Sequence, residues 1–169
     1  MYAAHFAAAL AIKSKAPQTP TWALVTGAFL PDFAWVGLGL AGIEPSQGPA
    51  FFDDWSHSLA MVILWATLFA CVFWKKGIAV MLPVWLAGIS HFVLDLPIHP
   101  KDLALYPHSR VHLGWGLWRI GPRNYWWVQL FVVLILTFLY AQGARRLRFA
   151  NNLIWASSLL LMGLHLMMW

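Results

Sequence analysis

The chain has 169 residues, of which 61% are hydrophobic and only 10% charged, too few charges to clothe a soluble domain. Mean hydropathy of +0.67 points the same way. The net charge of +5 does not make a nucleic-acid surface, because the bases fall in the gaps between apolar segments and form no single stripe. The length suits one domain, spanning 1–169.

Taken in chain order, residues 2–12 read as a short N-terminal helix that dips into a membrane or packs on a bundle. A membrane-spanning helix needs about 20 mostly apolar residues. Residues 22–42 meet that length, with Pro31-Asp32 interrupting the middle. Residues 57–74 follow, closed by Lys75-Lys76, then 77–98, which contains Pro83 and Pro97. Residues 125–142 end before Arg145, Arg146 and Arg148, and 153–169 give a shorter fifth segment. Trp22, Trp55, Trp74, Trp126 and Trp127 sit at the ends of these runs, where amphipathic rings anchor in the headgroup layer. The expected architecture is an all-α polytopic membrane bundle of about five spans plus the short N-terminal helix.

If the five spans alternate, Lys13, Lys15, Lys75, Lys76, Arg145, Arg146 and Arg148 share one side, and Lys101, Arg110, Arg119 and Arg123 the other. The larger group marks the cytoplasmic side. The 43–56 and 99–124 loops then face outward, and the long second loop is expected to lie over the outer mouth. Asp54 or Ser56 is placed to cap a helix that begins near His57.

An ionisable residue inside a span costs on the order of 2.5–3.5 kcal/mol and is tolerated where it is paired, metal-bound or faces a cavity. Asp32, Asp95 and His91 lie within apolar runs, and His57 at the edge of one. His91 and Asp95 are spaced i, i+4, on one helix face. Imidazole and carboxylate so placed can share a divalent cation, zinc above all, or simply hydrogen-bond to each other. Proline in mid-span breaks the helix, so Asp32 either caps the second half-helix or serves a site, or both. A straight helix would bury Asp32 about 15 Å deep, out of reach of His91 and Asp95 at about 10 and 5 Å; a break or tilt at Pro31 would relieve that mismatch. His5, alone among alanines, and His165 carry little signal.

The residue order is informative in itself: His5, then Leu30-Pro31-Asp32, then Ser56-His57-Ser58, then Ser90-His91 and Asp95. This resembles the YdjM-like family of small bacterial membrane-bound, metal-dependent hydrolases over roughly residues 1–110. That family is in turn considered similar to zinc-dependent phospholipase C and P1-type nucleases. The resemblance implies that His57, His91, Asp95 and Asp32 hold one metal, and that His5, with Asp95 bridging, helps to hold a second. The chain departs from the pattern in having no second acid after Pro31-Asp32 and no later H-x-x-x-E pair. His99 and His108 are spare ligands, and Arg110 can grip a phosphate.

The expected function is hydrolysis of a lipid-type phosphoester at the outer face of a bacterial cytoplasmic membrane. One or two zinc ions would activate water, and Asp32 or Asp53 would act as general base. Membrane lipids are the expected partners, with no nucleic acid. Two other classes fit the same residues: a small transporter, and a structural membrane protein whose metal stabilises the fold.

Overall fold

A computed structural model of the chain describes residues 2–44, 52–99 and 103–167. Among them the regular structure is all helical; the sole strand-like feature is an isolated bridge between Ala104 and His112. Eight α-helices follow one another: α1 Tyr2–Lys13, α2 Thr21–Ala28, α3 Leu30–Leu40, α4 Asp54–His57, α5 Leu59–Cys71, α6 Ile78–Asp95, α7 Pro122–Arg146 and α8 Asn151–Leu166.

α1 is built from good helix formers whose small side chains allow close approach. Ala3, Ala4, Ala7, Ala8 and Ala9 are all buried, and the helix packs against α2, α6, α7 and α8. It is therefore the centre of the packing and no appendage. Its last turn is closed by Lys13, whose Nζ donates to the carbonyls of Pro17 and Thr19 at 2.7 and 2.8 Å.

Between α2 and α3 the axis turns by 57°. Pro31 accounts for the break: it has no N–H to donate and its ring clashes with the preceding turn, but it is well placed near the start of the new helix. α4 is a single turn. Ser58, in extended conformation with ψ 150°, separates it from α5. A 3₁₀ turn, Trp74–Lys76, and Gly77 at φ +78° then reverse the chain into α6, an angle that a side chain would resist. α5 and α6 press together at Gly88, where a Cβ would lie 2.7 Å from that of Ala66.

Among the described residues two helices are long and apolar enough to cross a membrane, Ile78–Asp95 and the Tyr125–Arg146 part of α7; the α2–α3 pair, bent by 57°, is a third only when counted as one broken span and not as a re-entrant loop. The expectation of five by sequence is reduced for a physical reason. The 57–74 run is cut at Ser58 and again near Val72, so α5 has 13 residues and a length of about 20 Å, against a hydrocarbon core of about 30 Å. α8 has 16 residues and spans about 24 Å. The long loop does cover one end of the bundle. The amides of Leu59 and Ala60, which open α5 and have no helical acceptor, donate to the carbonyls of Ala104 and Leu105 at 3.0 Å each. Trp115, Gly116 and Leu117 donate to the carbonyls of Leu96, His99 and Pro97 beyond α6.

Candidate metal centre

Five ionisable side chains from four helices meet at the end of the bundle covered by that loop. His91 and Asp95, one turn apart at the end of α6, are 1% and 2% exposed; His5 of α1 is 1% exposed. The 57° break swings Asp32, in the first turn of α3, toward His57, the last residue of α4. His57 Nε2 lies 3.5 Å from Asp32 Oδ1, and His91 Nε2 lies 3.8 Å from the same oxygen. His91 Nε2 is 3.0 Å from Asp95 Oδ2, and His5 Nε2 is 3.4 Å from Asp95 Oδ1. Two sets of ligand atoms lie close enough to share an ion, His5–His91–Asp95 and Asp32–His57–His91.

The other ring nitrogens fix which atoms are free. His91 Nδ1 lies 2.8 Å from the carbonyl of Ala28, in the last turn of α2, where the helix break has left carbonyls without helical donors. A carbonyl only accepts, so Nδ1 carries a proton and Nε2 is the atom turned toward the carboxylates. Ser56 Oγ donates to the Asp53 carbonyl at 3.0 Å and lies 2.8 Å from His57 Nδ1. With Nδ1 engaged by the hydroxyl, His57 turns Nε2 toward Asp32. Supporting bonds of this kind set the tautomer of metal-binding imidazoles.

The i, i+4 pair admits a hydrogen bond or a shared ion. Asp95 Oδ2 lies 3.0 Å from His91 Nε2, within reach of either. Ligands of one ion aim at the ion and not at each other. For bonds of about 2.0–2.1 Å, a tetrahedral site separates its ligand atoms by about 3.3–3.4 Å. In the Asp32–His57–His91 set the separations from Asp32 are 3.5 and 3.8 Å, and in the His5–His91–Asp95 set those from Asp95 are 3.4 and 3.0 Å, on either side of that value. Burial, with His91 alongside, pushes the His5 imidazole down to about 4, so His5 is neutral at pH 7, the form that binds metals.

His5 and His91 stack almost parallel, 9° between planes and 4.0 Å between centroids. The Asp95 carboxylate straddles the two rings, Oδ1 toward His5 and Oδ2 toward His91.

The remaining candidate residues are spread more widely. His99, one turn beyond Asp95, reaches Oδ2 at 3.8 Å. His108 lies apart from both ligand sets: its ring stacks on Phe52 at 4.8 Å, its φ is +62°, and its N–H donates to Asp54 Oδ2 at 2.7 Å. Arg110 is exposed on the same loop. Asp53 is buried at the start of α4 and belongs to neither ligand set. His165 is fully buried, its ring 4.7 Å from that of Trp126.

One residue escaped the sequence reading. Glu44, in the 43–56 segment expected to face outward, is fully buried, and its Oε1 accepts from the amides of Trp55 and Ser56 at 2.6 and 2.9 Å. It does the capping expected of Asp54 or Ser56; the cap position itself falls to Asp53, whose side chain makes no cap bond. Glu44 thus holds the turn that aims His57. No local pattern announces this, because the contact closes a loop of 11–12 residues. Replacing Ser56 by alanine is expected to weaken metal binding about 10- to 100-fold, with threonine restoring it, as measured by competition against a chelating indicator.

No family model, curated protein or solved structure matches this chain. Its chemistry therefore rests on the cluster itself: imidazoles and carboxylates that could hold a metal ion.

Proposed function

We propose that this chain is an integral membrane protein of the bacterial cytoplasmic membrane and a metal-dependent hydrolase of lipid-type phosphoesters, akin to the YdjM-like group. With α6 and α7 as crossings and their basic ends, Lys75-Lys76 and Arg145-Arg146, on the cytoplasmic side, the cluster lies toward the periplasmic face. The observation that carries the reading is the convergence of His57 and His91 Nε2 on Asp32 while their Nδ1 atoms are tied away. The kinship rests on residue order: His5, Pro31-Asp32, Ser56-His57 and His91…Asp95.

Asp32, His57 and His91 would hold one divalent ion, zinc by donor type, with Asp95 Oδ2 beside His91 at 3.0 Å. His5 and Asp95 Oδ1 are the ligands offered to a second. When bound, such an ion supplies Lewis-acid polarisation of a phosphoryl oxygen and a water acidic near pH 7. Asp32, whose side chain is 29% exposed against 3% for Asp95, lies on the open side and accepts the proton of the attacking water. Its role as base is preferred to that of Asp53, which lies outside the cluster. Arg110 is the residue offered to the phosphate.

The test is turnover of a panel of phosphate-containing lipids and their water-soluble analogues by the metal-loaded chain in detergent. Asp32→Asn is expected to lower kcat by about 10²–10⁴-fold, the range for loss of a general base. Folded, metal-loaded wild type without turnover on the panel would sink the hydrolase reading. The near-complete burial of His5, His91 and Asp95 would then favour a fold-stabilising ion. Transport is the weaker alternative: all the buried carboxylates among the described residues, Glu44, Asp53, Asp54 and Asp95, lie near one end and mark no route through the bundle.

A further inference from the structure

The end of the bundle away from the cluster carries charge of one sign. The chain has six carboxylates, Asp32, Glu44, Asp53, Asp54, Asp95 and Asp102. None lies in the segments that end α1, join α5 to α6, or join α7 to α8. Those segments hold Lys13, Lys15, Lys75, Lys76, Arg145, Arg146 and Arg148, and contacts bring them to the same end. Lys13 lines a cavity with Tyr140, Phe149 and Leu153, and the Gln18 side-chain amide donates to the carbonyl of Ala79 just after Lys75-Lys76.

From this end an open groove of about 260 Å³ runs between α7 and α8. Its walls are Leu134, Phe138, Ala141, Ile154, Trp155 and Met162, and Arg145 closes its basic end. From Leu134 to Arg145 is about 17 Å along the helix axis. The groove is lined by apolar side chains that water would leave poorly solvated: Leu134, Phe138 and Trp155 are 48%, 60% and 60% exposed. Among the described residues lining it, the one charge is the Arg145 cation, and none carries a carboxylate. The Ser158 hydroxyl on its wall is turned onto its own helix, donating to the Ile154 carbonyl at 2.8 Å. An apolar trough ending in an arginine fits an acyl chain that ends in a phosphate, and the guanidinium fork suits phosphate oxygens.

We infer that the α7–α8 groove binds one acyl chain of an anionic glycerophospholipid, with Arg145 on its phosphate. The inference rests on the membrane reading of the chain and is independent of the metal centre. Arg145 supplies headgroup selection and the groove supplies tail contact, so both features are needed for preferential binding. The other cations at this end attract anionic lipid without choosing a place for it.

The test is native mass spectrometry of the full chain released from detergent, titrated with dioleoyl-phosphatidylglycerol and, separately, dioleoyl-phosphatidylcholine. Wild type is expected to retain the anionic lipid preferentially. Arg145→Gln is expected to weaken it about fivefold, the effect of one basic residue at a lipid surface. Lys75→Gln removes the same charge elsewhere at this end and is expected to change binding far less. Ala141→Phe, which fills the groove but keeps Arg145, is expected to lower retention of both lipids. Equal effects of Arg145→Gln and Lys75→Gln would overturn the site in favour of diffuse attraction. Retention of phosphatidylcholine equal to that of phosphatidylglycerol would overturn it too, as would an Ala141→Phe chain that melts like wild type and binds unchanged.

Discussion

Chelation is expected to lower the melting temperature of the wild-type chain in detergent, and to leave that of Asp95→Ala unmoved. An ion that binds only the folded state stabilises it by RT ln(1 + [L]/Kd), about 4 kcal/mol at a free concentration 1,000 times Kd. Asp95 is the residue to remove, because its carboxylate faces His5 and His91 at 3.4 and 3.0 Å, with His99 at 3.8 Å. Without the ion, Asp95 is a buried acid among imidazoles, and its loss alone need not weaken the fold. The decisive quantity is therefore the difference between melting with and without chelator. A wild-type chain indifferent to chelation would contradict the metal reading, and so would Asp95→Ala responding as wild type does.

Gly88→Val is expected to destabilise the chain by about 1–3 kcal/mol, the range for overpacking a tight contact, and to weaken metal binding with it. A Cβ at Gly88 would stand 2.7 Å from Ala66 Cβ and 3.3 Å from Ala66 Cα, so backbone must move. His91 follows three residues later on the same helix, and pushing α6 off α5 shifts its Nε2 from the point shared with His57 and Asp32. Gly163→Ala is the control: nothing lies within 4 Å of a Cβ there, and a helical glycine gives way to alanine with a gain of about 0.5–1 kcal/mol. Thermal melting of both variants, with and without metal, checks the pair. A Gly88→Val chain as stable as Gly163→Ala would show that the α5–α6 contact is looser than described.

What the sequence makes legible follows from the range of the interactions. The all-helical fold is written in long apolar runs broken at Pro31, Gly77 and Pro97. The His91–Asp95 pair is a matter of helical period, and Pro31-Asp32 advertises a break, though not the 57° direction in which it turns. The number of helices able to cross a membrane was overstated because hydropathy is continuous through Ser58 and Val72, where the backbone is not. His5 has no periodic companion in α1; only the packing of α1 on α6 brings it to Asp95. Glu44 is the extreme case, since its role depends on a loop closure that no local pattern encodes. The ring orientations of His57 and His91 likewise depend on Ser56 and Ala28, one adjacent in sequence and the other 63 residues away.

The central claim is that the buried His/Asp cluster is a metal centre, and elemental analysis of the full chain purified in detergent tests it most directly. Wild type is expected to carry one to two equivalents of zinc or a similar divalent ion, and His91→Ala to carry none. Wild type without metal after incubation with zinc, manganese and iron salts would contradict the account.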